Sequence, residues 1–151
     1  MHTIPIIYAS TSGNVESVCQ AVADLLTVAG ITTSLHRAEA TGYEIIAANS
    51  IFILATSTWE HGELNPFFNK LYSEMLSHDL KGKKAAFIGL GDIRYEPVLF
   101  CKGIDIIREV FLRSGGTEIN TTLKLNGEPY QYLNTTVLNW ANRLIELLKN
   151  E

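Results

Sequence analysis

Apolar positions follow two different periods along the chain. Short runs of consecutive apolar residues, such as residues 3–9, alternate with longer segments in which apolar residues recur every three or four positions. A continuous apolar run is typical of a strand buried on both faces, whereas the spacing of Val15, Val18 and Val22 is typical of one helix face. This alternation continues from end to end, which predicts a parallel sheet covered by helices on both faces.

Five strands are predicted, each followed by a helical segment, of which the second, residues 43–49, is short. Pro5 cannot donate to a β-ladder and is accepted because it lies near the start of the first strand. Right-handed crossovers leave few ways to connect this pattern, so the expected fold class is α/β with a doubly wound five-stranded parallel sheet. The strands are predicted at residues 3–9, 31–37, 50–55, 85–91 and 117–126.

The composition is that of an ordinary globular protein, with 46% hydrophobic and 19% charged residues. A length of 151 residues suits one domain with a full core, so we expect residues 1–151 to form a single domain. The chain has no apolar run long enough to cross a membrane and begins without a signal-peptide pattern, which predicts a cytoplasmic protein with no membrane association. The net charge of −4 argues mildly against nucleic-acid binding.

Cysteine and histidine positions indicate neither a disulfide framework nor a metal site. Cys19 and Cys101 lie in segments predicted to be helical, where a small buried thiol is the ordinary interpretation. No group of His, Cys, Asp or Glu has the spacing of metal ligands, so no metal is expected. No serine has a histidine placed to activate it, so no nucleophilic catalytic residue is expected either.

The turn after the first predicted strand consists of small, mostly hydroxylated residues, at positions 10–14. A strand that turns directly into a helix leaves backbone N–H groups unpaired beside the positive end of the helix dipole. Ser, Thr and Asn side chains add donors, and Gly13 lets a ligand approach the backbone, so this turn can hold a phosphate. The same residues can equally cap the helix. Because the turn contains no Lys or Arg, any phosphate here is expected to be held by neutral donors.

Two further unusual loops follow the third and fourth predicted strands. Residues 56–59 repeat the hydroxyls and end in Trp59, while residues 89–92 end the fourth strand in glycines and precede Tyr95. A doubly wound sheet binds its ligand beyond the carboxyl ends of its strands, so the three loops are expected to converge, which favours the phosphate site. Trp59 and Tyr95 could each belong to the core, but together they suggest a flat ring stacked between aromatic planes.

These motifs resemble those of the flavodoxins, small FMN-binding electron carriers. Residues 10–16 are similar to the family's Ser-x-Thr-Gly-Asn-Thr-Glu, and residues 58–64 to its Thr-Trp-x-x-Gly-Glu-Leu. Residues 89–92 are similar to its Gly-Leu-Gly-Asp, and residues 100–105 to its Phe-Cys-x-x-x-Asp. The resemblance covers nearly the whole chain and, without a long insertion in the last strand, indicates the short-chain type. It implies a flavodoxin-like sheet of strand order 2-1-3-4-5 with FMN at the switch point.

The resemblance also implies which residues bind the cofactor. Residues 10–15, with Ser57 and Thr58 of the second loop, would surround the FMN phosphate. Two aromatic rings would sandwich the isoalloxazine, and backbone groups would bond its polar edge. The implied FMN-binding residues are Ser10, Thr11, Ser12, Gly13, Asn14, Val15, Ser57, Thr58, Trp59, Glu60, Gly91, Asp92, Tyr95 and Cys101. The implied function is low-potential one-electron transfer by a monomer that shuttles between a flavodoxin reductase and acceptor enzymes, without catalytic residues of its own.

Three residues depart from the family pattern. Val15 stands in place of a threonine and removes one hydroxyl from the phosphate, a loss of about 0.5–1.5 kcal/mol. Glu60 stands where many flavodoxins have glycine or asparagine, so a peptide flip through positive φ is expected to be harder. Arg94, beside the expected ring position, would favour an anionic reduced flavin unless it is simply solvated.

Two alternative functions remain compatible with the sequence. An FMN-dependent quinone-type oxidoreductase on the same fold needs room over the ring, which aromatic residues on both faces would close. A flavodoxin-like accessory protein, dedicated to one redox enzyme or binding no flavin, is left open by Val15 and the mild net charge. A response-regulator receiver needs paired acidic residues after the first strand, and residues 6–9 contain none.

Overall fold

The computed structural model describes residues 3–59, 62–92 and 99–151. The strands are β1 (Ile4–Ala9), β2 (Thr33–Arg37), β3 (Ile51–Trp59), β4 (Glu63–Leu64), β5 (Lys84–Gly91), β6 (Thr117–Glu118) and β7 (Leu123–Asn126). The α-helices are α1 (Asn14–Val28), α2 (Glu44–Ala47), α3 (Asn69–Leu76), α4 (Lys102–Arg113) and α5 (Thr136–Lys149). Short 3-10 turns lie at Ala38–Ala40, Pro66–Phe68 and Tyr130–Tyr132. None of the helices within these described ranges is both long and apolar enough to span a bilayer.

The sheet runs in the order β2-β1-β3-β5, and β6 and β7 both pair with the far side of β5. All these pairings are parallel, and among the described strands only the two-residue strand β4 runs antiparallel, beside β3. Counting β6 and β7 as one position gives the predicted order 2-1-3-4-5, so the α/β doubly wound prediction is confirmed.

The fifth predicted strand is interrupted, which the alternating pattern of residues 117–126 did not indicate. Residues 119–122 separate β6 from β7. In this interval the Trp140 indole N–H donates to the Thr121 carbonyl over 2.6 Å, and the Asn120 amide donates to the Trp140 carbonyl over 3.2 Å. Polar groups of this interval therefore form hydrogen bonds with Trp140 of helix α5. These residues are some twenty positions apart, so strand periodicity cannot indicate the contact.

The sheet is covered on both faces, and the alternation along β1 assigns its side chains to the two sides. Ile6 and Tyr8 belong to a core shared with α1 and α5, whereas Ile7 and Ala9 belong to a core shared with α3 and α4. Both cores consist almost entirely of aliphatic and aromatic side chains, as expected for a sheet without a solvated face. This layering leaves the two ends of the strands as the places where loops can form a site.

Pro5 fits into the middle of the sheet because of the pairing register. The Ile4 N–H donates to the Thr32 carbonyl on the β2 side, so the nitrogen of the next residue, Pro5, points toward β3. Pairing of β1 with β3 begins only at Ile6. The missing N–H of Pro5 therefore falls outside the ladder, and its predicted place near the strand start is confirmed.

Candidate cofactor-binding site

A groove of about 320 Å³ opens at the carboxyl edge of the sheet, where the loops after β1, β3, β5 and β7 meet. Eight of the predicted site residues line it: Thr11, Ser12, Asn14, Val15, Ser57, Thr58, Gly91 and Asp92. Leu90, Gly127 and Glu128 complete the lining. The convergence of the three predicted loops is therefore a feature of the structure.

The turn of residues 10–14, here called the phosphate loop, is organised by the side chain of Ser10. Ser10 is buried, and its Oγ accepts the N–H of Gly13 over 3.1 Å and that of Glu16 over 3.4 Å. Of the four amides that the start of α1 leaves without intrahelical partners, those of Asn14 and Val15 therefore stay available as far as the described residues are concerned. Ser10 acts as the cap, and the other loop residues keep their donors for a ligand.

Gly13 gives the phosphate loop its shape. Its φ of 89° lies in the left-handed region, which side chains with a Cβ rarely adopt. An added Cβ would meet no neighbour, so the requirement for glycine is conformational and not one of space. The turn brings the first amides of α1 to the groove together with the side chains of Thr11 and Ser12.

The end of β3 supplies hydroxyl groups whose hydrogens remain free to donate. Asn65, which is fully buried, donates its Nδ2 to Ser57 Oγ over 2.9 Å and accepts the Phe67 N–H on Oδ1. The Gly103 N–H donates to Thr58 Oγ1 over 2.9 Å. A hydroxyl that accepts a hydrogen bond still has its own proton. Ser57 and Thr58 are thereby held as donors toward the groove.

Helix α4 packs against the ends of β3 and β5 at distances that only glycine permits. A Cβ on Gly103 would lie 2.7 Å from the Ser57 carbonyl oxygen, and one on Gly91 would lie 2.8 Å from the Cys101 nitrogen. A Cβ on Gly89 would lie 2.3 Å from the side chain of Ile104. These three glycines therefore allow the start of α4 to close one side of the site.

Cys101 is the residue before α4 and lies in the left-handed region with φ of 54°. Its side chain is buried, and burial raises the pKa of the thiol to about 12. The thiol is therefore protonated at neutral pH and is not a nucleophile. Cys101 does not line the groove, and any role in binding would fall to its backbone at the start of α4.

Trp59 ends β3 and pairs with Glu63 of the β4 hairpin. Its side chain is 43% exposed, so it lies outside the core and is available to a planar ligand. The second predicted stacking residue, Tyr95, and the predicted backbone partner Glu60 lie outside the described residues. Ring stacking by these residues remains a prediction.

Sequence reasoning missed the contribution of the loop after β7. Gly127 and Glu128 line the groove, and the Gly127 N–H donates to the Gly91 carbonyl over 2.7 Å. Beyond them, Tyr130 is exposed and its hydroxyl lies 3.4 Å from Asn14 Oδ1. The predicted strand order was a usable signal, since the fifth strand is parallel and ends at the same edge.

The electrostatic character of the groove agrees with the prediction of neutral phosphate donors. No Lys or Arg lines it within the described part of the chain, and its charged lining residues are the acids Asp92 and Glu128. Arg37 reaches the back of the phosphate loop, where its Nη2 donates to the Ser10 carbonyl over 2.9 Å. Its guanidinium also pairs with Glu16, so it brings no unbalanced positive charge.

The donor set fits a phosphate monoester such as that of FMN. Two helix-start amides, two hydroxyls with free hydrogens and the side chains of the phosphate loop can satisfy several phosphate oxygens without a cation. The neighbouring Trp59 and the groove between the loops accommodate a larger planar group.

Comparison with known proteins places these features in a family. The flavodoxin family model matches residues 6–140. A flavodoxin from Maridesulfovibrio salexigens is 30% identical over 150 residues, covering 93% of this chain and 95% of that protein. Protein MioC of Escherichia coli (strain K12) is 30% identical over 154 residues, covering 99% of this chain and 100% of MioC.

A solved structure gives the same result in three dimensions. The crystal structure of oxidised flavodoxin 2 from Bacillus cereus matches with a TM-score of 0.88 and 31% identity, covering 96% of this chain and 99% of that chain. Sequence and fold thus agree over almost the full length, and the chain belongs to the flavodoxin family of FMN-dependent electron carriers.

Proposed function

We propose that residues 1–151 act as one domain that binds FMN non-covalently in the groove and carries single electrons at low potential. The flavin supplies the redox chemistry when bound, and the protein sets its affinity, orientation and potential. A flavodoxin reductase would donate the electrons and acceptor enzymes would take them. The chain is proposed to work as a cytoplasmic monomer, since a carrier docks transiently with different partners.

One observation supports the proposal most directly: the donors of two separate elements converge on one groove. The Asn14 and Val15 amides come from the start of α1, and the Ser57 and Thr58 hydroxyls come from the end of β3, with their oxygens already occupied by Asn65 and Gly103. This arrangement has free hydrogens and, among the lining residues that the structure describes, no cation, which suits a phosphate bound through neutral hydrogen bonds.

The ring would lie beyond the phosphate, against Trp59. We propose that Trp59 and Tyr95 cover its two faces, and that backbone groups near Glu60, Gly91, Asp92 and Cys101 face its polar edge. Aromatic faces and a low local dielectric exclude water and disfavour negative charge on the reduced flavin, which lowers the potential of the second electron.

The first test is an ultraviolet–visible spectrum of the purified protein, followed by anaerobic stepwise reduction. The proposal predicts a yellow protein that takes up the two electrons in separate one-electron steps. A protein that takes both electrons in a single step would favour a quinone-type oxidoreductase. A colourless protein that added FMN does not turn yellow would contradict FMN carriage by this chain.

The full-length similarity to MioC is consistent with a second candidate, a flavodoxin-like accessory protein dedicated to a single redox enzyme. The two functions differ in breadth of partners. A general carrier reduced with dithionite passes electrons to several unrelated one-electron acceptors at similar rates. A dedicated protein reduces one acceptor faster than the others by orders of magnitude, which stopped-flow oxidation of the reduced protein measures.

A further inference from the structure

Arg37, at the end of β2, reaches across to the back of the phosphate loop. Its Nη2 donates to the Ser10 carbonyl over 2.9 Å, and its Nη1 donates to Glu16 Oε2 over 2.7 Å. Its Nε donates to Glu39 Oε2 over 3.2 Å, and this bond raises the pKa of Arg37 further above its ordinary value. The planar guanidinium therefore joins the loop backbone, the first turn of α1 and the segment after β2.

Tyr8, at the end of β1, holds the same carboxylate from a second side. Its hydroxyl donates to Glu16 Oε2 over 2.9 Å, and its ring centre lies 5.6 Å from the Arg37 guanidinium carbon. Burial, together with the bond to Glu16, raises the pKa of Tyr8, so the phenol is protonated and donates throughout the neutral range. Tyr8, Glu16 and Arg37 are here called the loop clamp.

The contacts of the loop clamp fix Ser10 through both of its polar groups. The Ser10 carbonyl accepts from Arg37, while its Oγ accepts from the amides of Gly13 and Glu16. Since Ser10 thereby decides which amides of α1 remain free, any movement of Ser10 changes the donors available in the groove. None of the three clamp residues lines the groove.

The charges of the clamp argue against Arg37 as a counter-charge for phosphate. One guanidinium is paired with two carboxylates, those of Glu16 and Glu39, so the cluster has no excess of positive charge. A cation that attracted phosphate directly would be expected to face the groove. Arg37 can influence phosphate binding through the conformation of the loop.

We propose that Arg37, held by Glu16 and Tyr8, is a positioning residue that sets the phosphate-binding conformation of residues 10–14 and with it the preference for FMN over riboflavin. The inference rests on the phosphate placement proposed above. It assigns this role to a residue that comes from another strand and contacts the phosphate loop through the Ser10 carbonyl.

The test compares FMN with riboflavin, which lacks the phosphate. The purified protein is incubated with an excess of both flavins, and the ratio of the two that stays bound is measured after ultrafiltration. We expect the wild-type protein to retain FMN strongly over riboflavin. Arg37→Lys keeps the charge but loses the planar fork, so the preference is expected to fall by about tenfold.

A milder variant and a matched control accompany Arg37→Lys. Tyr8→Phe removes one hydrogen bond to Glu16 and keeps the ring, so a smaller fall in the same preference, about threefold, is expected. Arg108 makes a two-pronged pair with Glu118, both distances 3.0 Å, and its side chain is 41% exposed against 43% for Arg37. Arg108→Lys likewise keeps the charge and loses the planar fork, but at a position away from the phosphate loop. It should therefore leave the preference for FMN over riboflavin unchanged.

Four results would overturn the inference. A second variant, Arg37→Gln, removes the charge as well as the planar fork. If Arg37→Lys keeps the wild-type preference for FMN while Arg37→Gln loses it, Arg37 acts as a counter-charge. If both variants keep the preference, Arg37 has no role in it. Equal weakening of both flavins, together with a lower Tm, would indicate a general structural role. A wild-type protein that does not distinguish the two flavins would contradict the phosphate placement itself. The two failures are distinguishable, because a wild-type preference for FMN that the Arg37 variants keep would contradict only the role of Arg37.

Discussion

At the scale of single residues, the role of each hydroxyl in this site depends on where it lies and on which hydrogen bonds its oxygen accepts. Ser10 Oγ accepts hydrogen bonds from two amides at the start of α1, whereas the hydroxyls of Ser57 and Thr58 each accept one hydrogen bond from the protein. The bonds to Ser10 shape the loop from a position that does not line the groove, whereas Ser57 and Thr58 line the groove and can offer their hydroxyl protons to a ligand. Residues of the same chemical type therefore act differently, according to what their oxygens face.

Val15→Thr should tighten FMN binding while destabilising the protein without FMN. Val15 is buried in the core beside α1 and also lines the groove. A threonine hydroxyl that reaches the phosphate should add about 0.5–1.5 kcal/mol to FMN binding, whereas without FMN the buried hydroxyl should cost about 1 kcal/mol. Urea unfolding with and without FMN measures both effects.

Val18→Thr is the matched control for this prediction. Val18 is on the same helix and equally buried, but it does not line the groove. The Val18→Thr variant should be destabilised by the same amount with and without FMN. Equal behaviour of the two variants would mean that a hydroxyl at position 15 does not reach the phosphate.

The two buried thiols should make the protein lose stability at alkaline pH. Burial raises the pKa of Cys101 from 9.0 to about 12 and places that of Cys19 higher still. The folded state therefore favours the protonated thiols. Their contribution to stability is complete below pH 9 and is lost as pH rises toward 12, because the unfolded chain ionises first.

Urea unfolding midpoints at pH 7, 9 and 10.5 test the alkaline loss. The decline should be steeper for the wild-type protein than for a variant carrying Cys19→Ala and Cys101→Ala, even though the variant is less stable at pH 7. Parallel declines would assign the alkaline loss to tyrosines and lysines.

At the scale of elements, the decisive feature is the approach of α4 to the ends of β3 and β5. Glycines at positions 91 and 103 let the backbone at the start of α4 contact the strand backbone, and Gly89 leaves room for the side chain of Ile104. Gly91 itself lines the groove, and the Gly103 N–H donates to Oγ1 of the lining residue Thr58. The helix thus forms part of the sheet's packing and part of the site through the same residue.

Gly103→Ala should destabilise the protein and weaken FMN binding. Helix propensity alone would make this substitution stabilising by about 1 kcal/mol, because alanine is the better helix former. The added Cβ, however, would lie 2.7 Å from the Ser57 carbonyl oxygen, which is backbone and cannot yield without moving β3 or α4. Overpacking of this kind costs about 1–3 kcal/mol.

Thermal unfolding and FMN titration of Gly103→Ala test this prediction through the direction in which the Tm and the FMN affinity change. A lower Tm together with weaker FMN binding is expected. A raised Tm would show that helix propensity dominates and that α4 does not depend on this close approach.

At the scale of the whole molecule, the distribution of charge should govern encounters with redox partners. The net charge is −4, and Asp92 and Glu128 lie at the groove, with the exposed Glu63 nearby on the β3–β4 hairpin. Electron transfer to a basic acceptor such as cytochrome c should therefore be fast at low ionic strength and slow down as salt is added.

Glu128→Gln should reduce the low-salt transfer rate by about twofold, the effect of one charge acting at roughly 10 Å in water. Glu146→Gln is the matched control, since it changes the net charge equally on the exposed side of α5, where Glu146 pairs with Arg143. Stopped-flow rates at several salt concentrations measure both. Identical effects of the two variants would mean that net charge, and not the groove, steers the acceptor.

Local sequence patterns predicted most of the architecture because they report local physics. Apolar runs and alternation gave the first, second and fourth predicted strands within two residues of β1, β2 and β5, whereas the third, predicted at residues 50–55, extends to Trp59 as β3. The small residues of positions 10–14 indicated the turn at the start of α1. The break between β6 and β7 was not predicted, because it depends on Trp140 reaching Thr121. The family motifs added the cofactor and named eight residues that line the groove.

The sequence by itself determined the fold class, the edge of the sheet that carries the site and the family. These follow from periodicity, from glycine and proline positions and from motifs whose residues are close neighbours in the chain. The tertiary structure decided which donors are free, how closely α4 approaches and that Arg37 contacts Ser10 across 27 positions. Such contacts depend on which strands become neighbours, and hydrogen bonds between distant segments leave no periodic signal in the chain.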